Sequence, residues 1–189
     1  MTAPGSPLSD STEPRPAQAA LRLARPRAAT RRPQSGAAPG YLLRPAEARG
    51  ALRIAAILSD WIDATEWMPR IHSRADDREH AAHIIAQMDV RVICRRRLLR
   101  PALVVGFLAR RAHFIHALYL APEARGRGLG SALIEDAKAE SPHLELWCFQ
   151  ANHPARAFYG ARGFEVVEIG DGSGNDEKLP DLRLTWSRA

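Results

Sequence analysis

Residues 117–140, ALYLAPEARGRGLGSALIEDAKAE, decide the fold of this chain. An apolar strand leads into a loop that contains Gly126, Gly128 and Gly130, and the loop leads directly into an amphipathic helix. Because glycine has no Cβ, this loop can bring its backbone close to a ligand and direct successive N–H groups into one anion-binding concavity. The helix adds the positive end of its dipole at the same place. The junction therefore predicts a binding site for phosphate groups.

The spacing of the three glycines argues against the two commonest nucleotide-binding loops. A dinucleotide-binding loop would read GxGxxG, and a P-loop would carry Gly-Lys-Ser or Gly-Lys-Thr, whereas no such lysine follows Gly130. The loop instead matches the pattern Q/R-x-x-G-x-G/A at Arg125, Gly128 and Gly130. This pattern resembles the acetyl-CoA signature of GNAT-type N-acetyltransferases.

A second motif follows the next strand, which reads LELWCF at 144–149. Asn152 opens a predicted helix, the aromatic pair at 158–159 lies on that helix, and a Gly-Phe pair at 163–164 ends it. This order resembles the second motif of the same family, in which an Asn, an aromatic pair and a Gly-Phe stand at these places. Two motifs in the right order and separation support each other.

Apolar periodicity and turn residues predict the remaining elements. Strands are predicted at 41–44, 89–96, 102–110, 114–120, 143–149, 164–169 and 182–187, and helices at 46–60, 76–87, 128–140 and 154–162. Three consecutive strands with short turns predict an antiparallel meander, whereas the later strand, helix, strand units predict a parallel crossover. The sheet should therefore be mixed.

The resemblance covers residues 41–188 and is specific over 114–164. It implies an α/β (α+β) fold of the GNAT type, with a mostly antiparallel sheet of six to seven strands flanked by about four helices. It also implies a splay between the fourth and fifth strands, through which the pantetheine arm of the cofactor passes.

Composition divides the chain at residue 40. Residues 1–40 are rich in Pro, Ala and Arg, and they carry four of the six net positive charges. They are predicted to be disordered, which leaves a single domain at 41–189. A targeting segment and a nucleic-acid-binding arm are alternatives for this tail, but sequence upstream of the true start is the favoured interpretation.

Cysteine and histidine usage argues against a metal centre or a disulfide framework. Cys94 and Cys148 each lie in an apolar strand pattern, and the seven histidines show no metal-ligand spacing. A covalent acetyl-cysteine at Cys148 is conceivable, but a buried packing role is favoured. Neither a signal-peptide core nor a membrane-spanning apolar run is apparent, so a soluble, cytoplasmic protein without a metal or a membrane partner is predicted.

The resemblance assigns the glycine loop and its neighbours to an acetyl-CoA site. Main-chain N–H groups of the loop would bind the diphosphate, and one on the preceding strand would stabilise the oxyanion of acetyl transfer. Asn152 would cap its helix and also bind the cofactor's arm. The predicted cofactor-binding residues are Leu118, Tyr119, Leu120, Arg125, Gly126, Arg127, Gly128, Leu129, Gly130, Ser131, Asn152 and Arg156.

Acetyl transfer also needs an acid and a base. Tyr159 stands where the family commonly has the tyrosine that protonates the CoA thiolate, and a phenol with the usual pKa of about 10 is protonated at neutral pH. The base that accepts the proton of the amine is less clearly marked. His116 is the first candidate, because imidazole titrates in the useful range, and Glu145 and His113 are alternatives.

Acidic and aromatic residues predict the nature of the acceptor. Asp60, Asp63 and Glu66 recur every third residue near Trp67, and the loop at 170–177 carries further acids. Carboxylates and ring faces would attract a cationic amine. Asp60, Asp63 and Trp67 are therefore the predicted substrate residues, with a solvated acidic helix face as the alternative.

Together these features predict an N-acetyltransferase that moves the acetyl group of acetyl-CoA to a primary amine of a small cationic acceptor, by direct attack in a ternary complex. A protein N-terminal or lysine acetyltransferase and a CoA-binding regulatory domain without turnover are the alternatives. Nucleic-acid binding through the tail and the run Arg95–Arg97 is a further one, but the run more simply marks a solvent-facing strand end, and no nucleic-acid partner is expected. The resemblance leaves a homodimer through the sheet edge open.

Overall fold

A computed structural model describes residues 38–188 of the protein. The strands are β1 (Tyr41–Pro45), β2 (Asp89–Arg95), β3 (Leu103–Arg111), β4 (Phe114–Leu120), β5 (His143–Phe149), β6 (Glu165–Gly170) and β7 (Asp181–Ser187). The helices are α1 (Ala51–Asp63), α2 (Arg74–Gln87), α3 (Leu129–Glu140) and α4 (His153–Gly160). The predicted disordered tail at 1–40 falls on residues 1–37, outside the described part, apart from its last three residues.

The strands of residues 38–188 form one mixed sheet in the order β1-β2-β3-β4-β5-β7-β6. Every neighbouring pair is antiparallel except β4 and β5, which are parallel. Within the described chain, β4 and β5 pair only at Phe114 with Glu145 and at Ile115 with Leu146. The strands part beyond Ile115, so the predictions of a mixed, mostly antiparallel sheet of up to seven strands, about four helices and a splay between the fourth and fifth strands are confirmed.

Helix α1 is displaced from the predicted range of 46–60. It begins at Ala51 and continues to Asp63. The reason lies in the chain before it, because the Ala46 N–H still donates to the Val90 carbonyl of β2 at 2.8 Å, in the manner of a strand. The backbone at 46 is therefore committed to the sheet and cannot start a helix.

Helix α2 begins two residues before the predicted start at 76. A capping box sets its first residue, Arg74. The Ser73 hydroxyl accepts a hydrogen bond from the Asp76 N–H at 3.2 Å, and the Asp76 carboxylate accepts one from the Ser73 N–H at 2.8 Å. The two reciprocal bonds satisfy N–H groups that a helix start would otherwise leave without acceptors.

Neighbouring residues of β4 show that helices cover both faces of the sheet. The Tyr119 ring packs against Trp61 of α1, with centroids 5.2 Å apart. The Leu120 side chain instead approaches Gly130 of α3, where an added Cβ would lie 3.6 Å from Leu120 Cδ1. Because successive side chains of a strand point to opposite faces, α1 and α3 lie on opposite sides of β4. The apolar side chains between these layers form one continuous core.

Three surface features concern partners of the protein. Among residues 38–188, no helix combines the length and the apolarity needed to cross a bilayer. The run Arg95–Arg97 ends β2 and enters the following turn with all three residues exposed, so the prediction of a solvent-facing strand end is confirmed. Strand β6 forms an edge of the sheet and exposes Val167 and Ile169. The homodimer through such an edge stays a prediction.

Candidate active site

The gap between β4 and β5 is bordered by main-chain N–H groups of β4. On the side of β3, the Ala121 N–H donates to the Val105 carbonyl at 2.8 Å. Successive residues of a strand direct their N–H groups to opposite edges, so the N–H groups of Leu120 and Leu118 point toward the gap. Both residues are partly exposed, as residues bordering an open gap should be. The Leu118 and Leu120 donors predicted on this strand therefore face the gap, whereas the Tyr119 N–H faces β3, and cofactor binding by these residues stays a prediction.

The glycine loop adopts the backbone conformation that its composition predicts. Gly126 and Gly128 have φ values of +69° and +73°, a left-handed region that favours glycine. Gly128 is also the N-cap of α3, and because glycine has no side chain to cap the helix, the first-turn N–H groups are left for water or a ligand. The loop thus presents the positive end of a helix next to the gap.

The two arginines of the loop are exposed and anchored to its backbone. Arg125 Nε donates to the Leu120 carbonyl at 3.2 Å, and Arg127 Nε donates to the Glu123 carbonyl at 3.0 Å. These bonds hold both guanidinium groups beside the loop rather than extended into solvent. Their charges therefore add to the attraction that the loop has for an anion.

Helices α3 and α4 touch directly behind the loop. A Cβ at Gly130 would lie 3.0 Å from Phe158 Cε2, so a glycine at this position permits the contact. The Arg162 guanidinium stacks over the Phe158 ring at 3.6 Å from its centroid and donates to the Ser131 hydroxyl. The Ser131 hydroxyl oxygen therefore already accepts a hydrogen bond within the protein. Its hydroxyl hydrogen remains available for donation to a ligand.

Helix α4 begins at His153, and Asn152 is its N-cap. The Asn152 side-chain oxygen accepts a hydrogen bond from the Ala155 N–H at 3.2 Å, which confirms the capping role. Arg156 is exposed, and its Nη1 donates to the Gln150 carbonyl at 3.0 Å. Arg156 also borders a pocket of about 400 Å³ between α4, β6 and β7, whose floor includes Leu182. Cofactor contacts at Asn152 and Arg156 stay predictions.

Tyr159 lies in the core. The residue is 7% exposed, and its ring packs against Phe158 and Phe164 at centroid distances of 5.2 and 5.4 Å. Burial raises the pKa of the phenol above its usual range, with smaller contributions from Cys148 on β5 and Tyr119 on β4. Tyr159 is therefore protonated at neutral pH and close to both strands that border the gap.

Cys148 is a packing residue. Both cysteines are free and buried, and burial raises the pKa of the Cys148 thiol to about 12. At neutral pH almost none of it is thiolate, the form that attacks a thioester. The prediction of a packing role is confirmed, and an acetyl-cysteine route has no nucleophile here.

The three candidate bases occupy two different places. His116 follows the last residue of β4 that pairs with β5, and within residues 38–188 its buried Nε2 has no hydrogen-bond partner. Burial, followed by the charges of Arg111 and His80, lowers its pKa to about 4, so the imidazole is neutral at pH 7. His113 and Glu145 instead bond to each other at 2.8 Å, where β4 and β5 are still paired.

The predicted acidic substrate residues are already paired with arginines of the α1–α2 hairpin. Asp63 accepts hydrogen bonds from Arg70 and Arg74, and these bonds, that from Arg70 first, lower the pKa of its carboxyl. Asp60 accepts a bond from Arg74 at 3.1 Å. The positive guanidinium groups offset much of the attraction that these carboxylates would have for a cationic acceptor.

Aromatic side chains form a wall across the mouth of the gap. Trp61 lies 5.2 Å from Tyr119 at the end of β4, Trp67 lies 5.8 Å from Phe149 at the end of β5, and the two tryptophans are 5.8 Å apart. We call these four residues the aromatic wall. Substrate binding by Trp67 stays a prediction. Sequence reasoning did not include Phe149, although its place as the last residue of the strand before the second motif was a usable signal.

The described residues contain no group of three or more His, Cys, Asp or Glu side chains arranged to hold a metal ion. The main-chain N–H groups of β4 and of the glycine loop instead suit a ligand that carries amides and a diphosphate. Main-chain donors along an unpaired strand edge match the amides of a pantetheine chain, and a glycine loop at a helix start matches a diphosphate.

Comparison with known proteins shows the family to which the chain is similar. The model of the acetyltransferase (GNAT) family matches residues 53–164. Peptidyl-lysine N-acetyltransferase YiaC of Escherichia coli is 38% identical over 85 residues, which are 44% of this chain and 56% of that protein. Peptidyl-lysine N-acetyltransferase YjaB of Salmonella typhimurium is 36% identical over 82 residues, which are 43% of this chain and 57% of that protein. The chain thus spans little more than half the length of these curated relatives.

A solved structure shows the same fold. The solution structure of the apo form of YjaB from Escherichia coli superposes with a TM-score of 0.65. The match covers 79% of this chain and 99% of that one at 23% sequence identity. At this identity the likeness concerns the architecture alone.

Proposed function

The chain belongs to the GNAT acetyltransferase family, and on that premise we propose that it transfers the acetyl group of acetyl-CoA to the side-chain amine of a lysine in a peptide or protein. One observation carries the proposal. The gap between β4 and β5 combines N–H donors of Leu118 and Leu120 with the glycine loop at its end. A thioester with an amide-containing arm and a diphosphate has its hydrogen-bonding groups in the same order.

For the donor, the pantetheine arm would bond to β4 along the edge that β5 leaves open. The N–H groups of the loop and the first turn of α3 would receive the diphosphate, with Arg125 and Arg127 supplying positive charge. The N–H groups at Leu118 and Leu120 would also stabilise the oxyanion that forms on the thioester carbonyl. Each of these donors is fixed by the backbone before the ligand arrives.

For the chemistry, the lysine nitrogen attacks the thioester carbonyl carbon, forming a C–N bond, and the C–S bond then breaks. Tyr159 gives its proton to the departing thiolate, and burial keeps the phenol protonated until that step. His116 would receive the proton of the amine, directly or through water, with its neutral imidazole, although burial lowers its pKa to about 4 and so makes it a weaker base than an ordinary histidine. The buried thiol of Cys148 takes no part, so transfer is direct.

Two observations favour a lysine over the small cationic acceptor that the sequence predicts. The carboxylates of Asp60 and Asp63 are paired with Arg70 and Arg74, so they offer less charge to a free polycation. The two similar curated proteins are named peptidyl-lysine N-acetyltransferases. The aromatic wall suits the methylene chain of a lysine, because ring faces pack against apolar stems next to a cation.

The test compares acceptors in one assay. We expect release of CoA and addition of one acetyl group to a lysine-containing peptide with a blocked N-terminus, and neither with the matched Lys→Arg peptide. If only a free N-terminus or only a small amine is acetylated, that amine and not a lysine side chain is the acceptor. If acetyl-CoA raises the melting temperature of the protein but no amine causes release of CoA, the result supports a regulatory CoA-binding domain instead.

A further inference from the structure

The loop between β6 and β7, residues 171–180, is a rigid support for one acidic side chain. Gly172 has a φ of +91°, and a Cβ there would lie 2.6 Å from the Leu179 carbonyl carbon. Asn175, which is 3% exposed, donates to the Leu179 carbonyl at 2.8 Å and to Asp181 at 2.9 Å, and it accepts from the Leu179 N–H at 3.1 Å. These contacts fix the loop where it presents Glu177.

Glu177 holds a buried oxygen that the protein leaves without a partner. In the part of the chain that the structure describes, its Oε2 is buried and accepts no hydrogen bond. Burial raises the pKa of this carboxyl above its usual range, although its own backbone N–H and His72 act in the opposite direction. A buried, unpaired carboxylate oxygen is costly, and its presence in a folded protein calls for an explanation such as a ligand.

A second buried polar atom without a partner lies in the turn between α1 and α2. His72 precedes the N-cap of α2, and its Nε2 is likewise buried and has no hydrogen-bond partner within residues 38–188. The turn is anchored by Arg70, whose Nη1 donates to the His72 carbonyl at 3.0 Å. The same turn carries Trp67, whose ring lies 5.8 Å from Phe149. Phe149 pairs with Asp181, which follows the loop that carries Glu177. The turn of His72 and the loop of Glu177 therefore meet at Phe149.

The loop that carries Glu177 adjoins the aromatic wall. It leads into Asp181, which pairs with Phe149 of the wall, and its Pro180 carbonyl accepts a hydrogen bond from the Gln150 N–H at 2.9 Å. The charge of Glu177 also contributes, after burial, to the raised pKa of Tyr119, another member of the wall. The loop therefore lies at the end of the sheet that the aromatic wall covers.

We propose that Glu177, with His72 beside it, binds the ammonium group of the acceptor lysine, while the aromatic wall contacts the methylene chain. An ammonium group has three N–H donors and needs acceptors in a site that excludes water. Glu177 Oε2 and His72 Nε2 are two buried polar atoms that the described part of the fold leaves without a hydrogen-bond partner. This inference deepens the proposed function and rests on it, because it names the groups that recognise the acceptor.

The decisive variant is Glu177→Gln, with Asp176→Asn as a matched control on the neighbouring exposed residue. We expect Glu177→Gln to raise the KM for the lysine peptide about tenfold or more, because a charge-assisted hydrogen bond is lost. The Kd for acetyl-CoA should not change, and Asp176→Asn should leave both values unchanged. His72→Leu should raise the KM for the lysine peptide by a smaller factor. Equal KM values for Glu177→Gln and wild type would overturn the proposal.

A stability measurement separates recognition from a structural role. Removing a buried charge that lacks a partner should leave the melting temperature of the free Glu177→Gln protein unchanged or raise it, whereas a structural carboxylate would lower it. A lowered melting temperature together with a raised KM for the lysine peptide would therefore count against the proposal.

Calorimetry keeps this inference separate from the proposed function. The full-length protein saturated with CoA is titrated with the blocked lysine peptide and with the same peptide carrying norleucine, which lacks the charge. Wild type should prefer lysine, and Glu177→Gln should lose that preference. If no amine is acetylated but the preference is seen, the proposed function fails and the binding site stands. If wild type binds both peptides equally, the binding site fails whatever the activity.

Discussion

Arg91 on β2 and Asp136 on α3 form a two-point ion pair in the protein interior. Nε lies 2.8 Å from Oδ2 and Nη2 lies 3.2 Å from Oδ1, and the two side chains are only 4% and 3% exposed. Helix α3 begins at the glycine loop, so this pair fixes the orientation of the helix whose first turn would face the diphosphate. The ion pair therefore connects the sheet to the ligand site through one helix.

Removing one member of this pair should destabilise the protein. We expect Asp136→Ala to lower the free energy of unfolding by about 3–5 kcal/mol, because Arg91 would remain buried without a counter-charge. Urea denaturation measures this change. The double variant Arg91→Met with Asp136→Leu should recover most of the loss, since an apolar pair of similar volume avoids the desolvation of both charges. A double variant no more stable than Asp136→Ala would contradict this account.

The left-handed backbone at Gly128 predicts a substitution effect. Gly128→Ala should lower the free energy of unfolding by about 1–2 kcal/mol, because an added Cβ disfavours this backbone conformation although the space around it is open. It should also weaken acetyl-CoA binding severalfold in a titration, since the loop must keep its N–H groups directed outward. Gly160→Ala is the control, because Gly160 lies in a helix, its φ is not positive and it has open space. That variant should be as stable as wild type or slightly more so.

The role of Tyr159 can be separated from its packing. Tyr159→Phe keeps the ring among Phe158 and Phe164 but removes the proton donor, so kcat for the lysine peptide should fall by about 10²-fold while the Kd for acetyl-CoA changes little. Steady-state kinetics and a binding titration give the two values. Tyr41→Phe, on the strand at the far edge of the sheet, should leave both unchanged. An unaltered kcat in Tyr159→Phe would remove the acid role.

Histidine burial predicts an acid dependence of stability. The pKa of His116 falls from a usual value of 6.5 to about 4 on folding, so between these pH values the unfolded chain binds the proton and the folded protein does not. Stability should therefore decrease as pH falls from 6.5 toward 4, by up to about 3 kcal/mol from this residue. His116→Gln should flatten that part of the pH profile of urea midpoints. His153→Gln, at an exposed position, should not change its shape.

Local sequence predicts the fold and the glycine loop well because both depend on neighbouring residues. Alternating apolar residues set the strands, and the left-handed backbone at Gly126 and Gly128 follows from glycine, the residue that adopts this conformation at least cost. The start of α1 at Ala51 was missed, because the preceding chain is held by a strand distant in sequence.

The charged contacts of the site could not be predicted in the same way. Asp63 belongs to an acidic helix face by sequence, yet its arginine partners depend on how the turn after α1 folds back. The pair of Arg91 and Asp136 joins residues 45 positions apart. The unpartnered oxygen of Glu177 is visible only once the surrounding loop is folded, because it is defined by the contacts that it does not make within residues 38–188.

The short pairing of β4 with β5 has a mechanical consequence. Within residues 38–188, strand pairing between a four-stranded half of the sheet, β1 to β4, and a three-stranded half, β5 to β7, is limited to two residue pairs. A pantetheine arm hydrogen-bonded to β4 would add contacts between these two halves inside the gap. Acetyl-CoA should therefore make the protein more rigid as well as supply the acetyl group. We expect the amides of Leu118 and Leu120 to exchange hydrogen more slowly once acetyl-CoA is bound, and the unliganded protein to be cut more readily by proteases.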